Sequence, residues 1–447
     1  MNNSVYTGLL TDRYELTMLS AALRDGTAHR RATFELFARR LPDGRRYGVV
    51  AGTGRFLEAL PEFRFDDAAC ESLAEFLNAD TLAYLREFRF SGDVDGYAEG
   101  ELYFPGSPVL SVTGSFAECV VLETLALSIF NHDTAVASAA ARMVSAAQGR
   151  PIMDMGSRRT HERAAVAAAR AAYLAGFAAT SNLEAHRRYG VPTEGTSAHA
   201  FTMLYEGPDG PDEPGAFAAQ VAALGAGTTL LVDTYDVTTG VANAVAAAGA
   251  ELGAVRIDSG DLGVLARQVR DQLDRLGATR TRIVVSGDLD EFAVAGLRAE
   301  PVDSYGIGTS LVTGSGAPTA NMVYKLVEVD GMPVEKRSVR KESHGGRKQA
   351  LRLSRSTGTI TDEIVHPIGQ RPQHAQHTAP SRVLTIPLVR SGRTVIDLGT
   401  EALSVARELV ASGLRSLPWE GLMLSHGDPA IPTTQIPARR PPTDTQE

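Results

Sequence analysis

Between residues 150 and 316, short apolar runs alternate with longer Ala-rich stretches of helical periodicity. The runs PIMDMG (151–156), GFAATSN (176–182), VPTEGTSAH (191–199), TTLLVDTYD (228–236), AVRID (254–258), RIVVSG (282–287) and VDSYGIG (302–308) predict strands. Helices are predicted between many of them, at 160–175, 238–250 and 262–276. Alternation of this kind predicts a parallel sheet with covering helices. Six of the seven strand ends carry reactive or polar residues, whereas an open sheet concentrates its site at one switch point. The prediction is therefore an α/β fold with an irregular parallel α/β barrel.

The flanking regions read differently. Periodicity predicts a helix over 10–23, a strand over 32–41 before the turn PDGRR, and helices from Thr53 and around 80–86. Residues 92–115, rich in Gly and Pro between short β-prone runs, predict a small antiparallel sheet. A long Ala-rich helix follows over 116–147, with a break expected at Asn131–Asp133. After 323 the pattern reverts to β, with Asp330-Gly331 between alternating runs as a hairpin turn. The basic segment 341–355 reads as a loop plus a strand, and 395–416 as a helix. The implied division is 1–130 (a mixed α/β region), 131–322 (the barrel), 323–435 (a β-rich segment) and 436–447 (a Pro-rich disordered tail).

Composition narrows the function classes. A chain of 447 residues, 43% of them hydrophobic, can bury a large core, and a formal charge of −9 argues against nucleic acid or an anionic membrane as the main partner. No apolar run approaches the roughly 20 residues that span a bilayer. The two cysteines, Cys70 and Cys119, lack metal or disulfide spacing. A cytoplasmic protein is expected.

The chemistry concentrates at strand ends. VRIDSGDLG (255–263), IVVSGDLD (283–290) and SYGIGTSLVTGSG (304–316) each pass from an apolar run into small polar and acidic residues. Glycine lets backbone N–H groups approach an anion, and aspartate can hold ribose hydroxyls or a metal, so the segment suggests a phosphosugar site. Arg158 follows the 151–156 run and should point into the barrel mouth, where its fork suits phosphate or carboxylate; a solvated arginine is the alternative. Arg256 within AVRID is costly unless paired. Asp258 and Asp288 end neighbouring strands and either face a ligand or cap helices. Gly287, Gly306, Gly308 and Thr309 are candidates for a phosphate cradle, although turns also use glycine. The stretch 336–348 is either a basic lid over phosphates or a solvated charge run.

Taken together, LLTDRYELTM (9–18), FELFARRLP (34–42), GSRRTHERA (156–164), GFAATSN (176–182), GTSAHAF (195–201), LVDTYD (231–236), VRIDSGDL (255–262), IGTSLVTG (307–314) and VYKLVEV (323–329) resemble the nicotinate phosphoribosyltransferases, in family order. The resemblance implies an open-faced α/β sandwich, built from the N- and C-terminal segments, beside a type II phosphoribosyltransferase barrel. It implies a homodimer with a shared active site that makes nicotinate mononucleotide from nicotinate and phosphoribosyl pyrophosphate, with ATP as co-substrate and Mg²⁺ held mainly by substrate phosphates. By the same resemblance His199 is the phosphorylated histidine, against the alternative of a structural histidine. Tyr14 stacks on the pyridine from the partner subunit, or is a core aromatic; Thr196 and Arg256 contact nicotinate; Asp258 and Asp288 serve the ribose; Arg158, Ser259, Gly287, Gly306, Gly308 and Thr309 hold phosphoribosyl pyrophosphate. Helix capping is the alternative for Ser259. The segment 230–240 is also loosely similar to the other phosphoribosyltransferase class, but its acids Asp233 and Asp236 are not adjacent. A nicotinamide or quinolinate enzyme, and a non-catalytic sensor of phosphoribosyl compounds, are the competing functions.

Overall fold

The computed structural model describes residues 6–208, 210–336, 344–370, 372 and 380–438. Most of the predicted tail (439–447) and most of the basic stretch 336–348 lie outside the described residues. The chain divides into two compact units, 1–138 with 317–447, and 139–316. The division falls inside one continuous helix, Glu123–Ala147.

The first unit is built on a seven-stranded antiparallel sheet. Its order is Met332–Pro333, Met322–Val329, Arg31–Ala38, Leu110–Ser115, Asp93–Tyr97, Thr385–Arg390 and Arg393–Thr394. Three strands from the N-terminal part of the sequence thus form the centre of the sheet, with two later strands on each side. Asp330 and Gly331 both take positive φ (48° and 77°), the geometry of a two-residue hairpin turn between Val329 and Met332. Arg13–Asp25, Thr53–Ala59 and Ala79–Glu87 supply helices whose apolar faces join a core containing Leu16, Leu19, Phe56, Phe63, Leu85 and Phe88. A second sheet, Ser381–Val383, Lys348–Ser354, Ile360–Pro367 and Thr433–Gln435, completes the unit.

The expected helix break at Asn131–Asp133 does not occur; the interruption comes earlier, between Phe116–Val120 and Glu123–Ala147. Asn131 and Asp133 reach laterally instead, and His132 Nδ1 lies 2.8 Å from its neighbour Asp133 Oδ1. Asn131 Oδ1 accepts from the Met322 amide and the Thr319 hydroxyl at 2.8 Å each, and Asp133 accepts from Arg55 at 2.7 and 2.9 Å.

The second unit holds six parallel strands in the order Thr229–Leu231, Ala254–Ile257, Arg282–Ser286, Ser304–Ile307, Ile152–Asp154 and Ala179–Thr180. The sheet curls into a half-barrel. Helices Glu162–Leu174, Val237–Ala248 and Leu262–Arg275 fall at the predicted places. The seventh predicted strand, 191–199, is absent except for one bridge between Thr180 and Thr193. Pro192, which has no N–H to donate, and the small polar run from Gly195 prevent a second ladder there. His199 accordingly begins the helix His199–Met203 rather than ending a strand.

Candidate active site

Strand alternation decides which side chains face the concave side of the sheet. On the 282–286 strand Ile283 and Val285 are buried, while Arg282 and Val284 line a cavity of about 710 Å³ that Thr229, Leu231, Met153 and Met155 also line. The cavity follows the strands from their first residues (Thr229, Arg282, Ser304) to their last. At the carboxyl end it meets Ser157, Arg158, Ser181, Gly195, Thr196, His199, Arg256 and Asp258. Five residues singled out in the sequence (Arg158, Thr196, His199, Arg256 and Asp258) therefore share one cavity wall.

Arg256 has a reason to sit in an apolar strand. Its Nε donates to the Ser286 hydroxyl at 2.9 Å and its Nη2 lies 3.1 Å from Asp258 Oδ1, with only 13% of the side chain exposed. The Ser286 hydroxyl in turn donates to Asp258 Oδ1. Burial pulls the Asp258 carboxyl up, but the Ser286 hydrogen bond, Arg256 and His199 outweigh it and hold the group below the usual carboxylate range. Asp258 is thus an anion at neutral pH. Its second oxygen, Oδ2, lies 3.8 Å from His199 Nε2, and His199 Nδ1 lies 3.2 Å from the Thr234 hydroxyl.

The loop carrying Asp258 is pinned from behind. Asp233 Oδ2 accepts from the Asp258 amide at 2.9 Å and from the Ser259 hydroxyl at 2.7 Å. Gly287, at φ 106°, packs so closely that a Cβ there would stand 2.3 Å from the Asp258 carbonyl oxygen. On the far strand, the buried carboxyl of Asp154 is pushed up by burial against hydrogen bonds from Thr180 and the Gly156 amide at 2.7 Å each, which shape the turn leading to Arg158.

The remaining candidates lie outside the cavity lining. Asp288 is exposed, two residues beyond its strand, at φ 47°. Ser259 is committed to Asp233, and Asp261, not Ser259, caps the next helix. Gly306 faces Met155 and Ser286, while Gly308 and Thr309 open the short helix Thr309–Val312. Tyr14 belongs to the first unit, on helix Arg13–Asp25, 46% exposed. It is not a core aromatic. Burial, Glu123 and Glu15 raise its hydroxyl well above the ordinary tyrosine value. Sequence reasoning missed Ser286 and Thr234; the inward alternation of RIVVS was the signal for Ser286, and nothing local marked Thr234.

A half-barrel of parallel strands with ionisable and anion-binding groups gathered at its carboxyl end is the architecture of an α/β-barrel enzyme. Residues 9–131 match the nicotinate phosphoribosyltransferase N-terminal domain. The chain is 76% identical over 440 residues to a nicotinate phosphoribosyltransferase of Mycobacterium tuberculosis, covering 98% of this chain and 97% of that protein. It is 37% identical to the Bacillus subtilis enzyme of the same name, over 77% of this chain and 73% of the relative. The crystal structure of human nicotinic acid phosphoribosyltransferase superposes with a TM-score of 0.80 at 29% identity, covering 96% of this chain and 97% of that one. The chain belongs to the nicotinate phosphoribosyltransferase family.

Proposed function

We propose that the protein transfers the phosphoribosyl group of phosphoribosyl pyrophosphate to nicotinate, releasing pyrophosphate, and that ATP drives the reaction through a phosphohistidine at His199. The observation that carries this reading is the ionic cluster Arg256–Asp258–Ser286 at the cavity wall with His199 beside it. The pyridine nitrogen attacks C1 as the pyrophosphate oxygen leaves with the bonding pair, through an oxocarbenium-like transition state. The Asp258 anion stabilises that positive charge, and Arg256 orients the pyridine while keeping Asp258 ionised. Thr196 contributes to the pyridine pocket and Arg158 binds phosphate. Gly287, Gly306, Gly308 and Thr309 present backbone amides to the 5′-phosphate.

Among the described residues no group of three or more His, Cys, Asp or Glu side chains is placed to hold a metal ion. In this reading Mg²⁺ arrives bound to pyrophosphate as part of the substrate. A homodimer in which Tyr14 reaches the partner's pyridine is supported by Tyr14 and Met18, both exposed and four residues apart on the helix Arg13–Asp25. Both cysteines are buried and free, and no helix among the described residues is long and apolar enough to cross a membrane; we place the reaction in the cytoplasm.

The test is nicotinate mononucleotide formation, with and without ATP, beside parallel reactions with nicotinamide and quinolinate. Nicotinate turnover stimulated by ATP is expected. Turnover of nicotinamide alone, CO₂ release from quinolinate, or binding without any product would each replace this reading. Incubation with γ-labelled ATP should leave acid-labile, base-stable phosphate on the wild type and none on His199→Ala; full ATP stimulation in that variant would remove the phosphohistidine.

A further inference from the structure

The His199 ring stands between the ends of two neighbouring strands. On one side Nδ1 is 3.2 Å from Thr234 Oγ1, within hydrogen-bond reach. On the other, Nε2 is 3.8 Å from Asp258 Oδ2, too far for a hydrogen bond. His199 and Asp258 line the cavity, whereas Thr234 is not among the lining residues and meets the ring from behind. Its chain neighbour Asp233 fastens the Asp258 amide and the Ser259 hydroxyl. One dipeptide, Asp233-Thr234, therefore fixes both the imidazole and the loop that carries the acid.

A neutral imidazole has one ring proton, and the two places for it differ here. With the proton on Nδ1 the Thr234 hydroxyl accepts it and Nε2 keeps a lone pair towards the cavity; with the proton on Nε2 the same hydroxyl would donate to Nδ1 and no lone pair would remain for phosphorus. We propose that Thr234 is a positioning residue that holds the His199 proton on Nδ1, so that Nε2 presents its lone pair to the cavity and is the atom that takes the phosphoryl group. This inference rests on the phosphohistidine reading given above. The Nε2 lone pair forms the N–P bond while the bond from the γ-phosphorus to the bridging oxygen breaks, and its electron pair leaves on ADP. The ring becomes cationic in the process. Its charge lies between the Nδ1–H bond to Thr234 and the Asp258 carboxylate, which is an anion at neutral pH.

The closing experiment uses the full-length enzyme with ¹⁵N-labelled histidine, in the wild type, Thr234→Val, Thr234→Ser and, for assignment, His199→Gln. Long-range proton–nitrogen spectra read which ring nitrogen of His199 carries the proton, and the same spectra after ATP treatment read which carries phosphate. Phosphorylation rates are followed with γ-labelled ATP. In the wild type the proton is expected on Nδ1 and the phosphate on Nε2. Thr234→Val should mix the tautomers and slow phosphorylation roughly 10-fold, the size of one neutral hydrogen bond, with Thr234→Ser restoring both. A thermal melt of Thr234→Val against wild type separates this from misfolding, and the tautomer signal is one that a merely structural role would not move. Phosphate on Nδ1 of the wild type, or a Thr234→Val enzyme with unchanged ring signals and rate, overturns the inference while leaving the phosphohistidine in place. A wild type that takes no label on His199 overturns the phosphohistidine itself, and with it the role given to Nε2.

Discussion

Replacing Gly287 by alanine tests whether the approach of two strand ends sets the position of Asp258. Gly287 sits at φ 106°, and an added Cβ would stand 2.3 Å from the Asp258 carbonyl oxygen and 3.2 Å from its carbonyl carbon. Holding an L-residue at positive φ costs about 1–2 kcal/mol. The 2.3 Å contact falls far short of the roughly 3.4 Å at which such atoms ordinarily meet, so the Asp258 backbone must withdraw by about 1 Å. That movement pulls against the Asp233 bond to the Asp258 amide and carries the carboxylate away from Arg256. A total near 2 kcal/mol corresponds to a fall in Tm of roughly 4–8 °C for a unit of this size. A displacement of about 1 Å in a group that faces the reacting centre costs on the order of 10² in rate. Differential scanning calorimetry and steady-state product formation read the two effects separately. A Gly287→Ala enzyme that melts and turns over like the wild type would refute the claim that this contact places Asp258.

Three further outcomes follow from the same geometry. Arg256→Ala leaves the half-buried Asp258 without its cationic partner and should lower kcat/KM for nicotinate on the order of 10²-fold, the size of one lost electrostatic donor; Arg256→Lys should recover little, because the Nε and Nη2 contacts need the fork. The buried carboxyl of Glu15 is pushed up to about 7 by burial, against hydrogen bonds from Thr11 and Thr124. A carboxyl with a raised folded-state value loses stability as pH climbs from about 4.5 to about 7, so wild type should melt lower at pH 8 than at pH 5 by a margin that Glu15→Gln removes; an identical pH profile in that variant would contradict the assignment. Asp258 is the opposite case: its carboxyl is held low, so its contribution is present above the unfolded value near pH 4 and is lost only as pH falls further, and urea midpoints of Asp258→Asn and wild type should converge at the acid end.

The pattern of apolar runs and Ala-rich helices was sufficient for a parallel α/β unit, because buried strands and amphipathic helices are local solutions to burying apolar surface. The hairpin at Asp330-Gly331 was equally legible, since only residues that tolerate positive φ fit a two-residue turn. Two local readings went astray where tertiary partners override local preference. Asn131, His132 and Asp133 look like a helix break, but Asn131 and Asp133 are occupied by distant groups, Met322 and Arg55 among them, and the helix continues. The 191–199 run looks like a strand but finds only one bridge, leaving His199 at the start of a helix.

The chemistry divides in the same way. Residue types at strand ends are a property of the chain, and they marked Arg158, Arg256 and Asp258, whereas the family resemblance marked His199. Which of them meet, and with what charge, depends on register. Pairing Arg256 with Val284 and Ile257 with Val285 sets Ser286 beside Arg256 and Asp258, and pairing Leu231 with Arg256 sets Asp233 against the Asp258 amide. A one-residue slip would turn each of these side chains to the opposite face. The linear order therefore determined the inventory of the site. Only the assembled sheet decided that Asp258 is a paired anion, that Thr234 reaches His199, and that Asp288 stands apart from the cavity, because those facts depend on contacts between strands far apart along the chain.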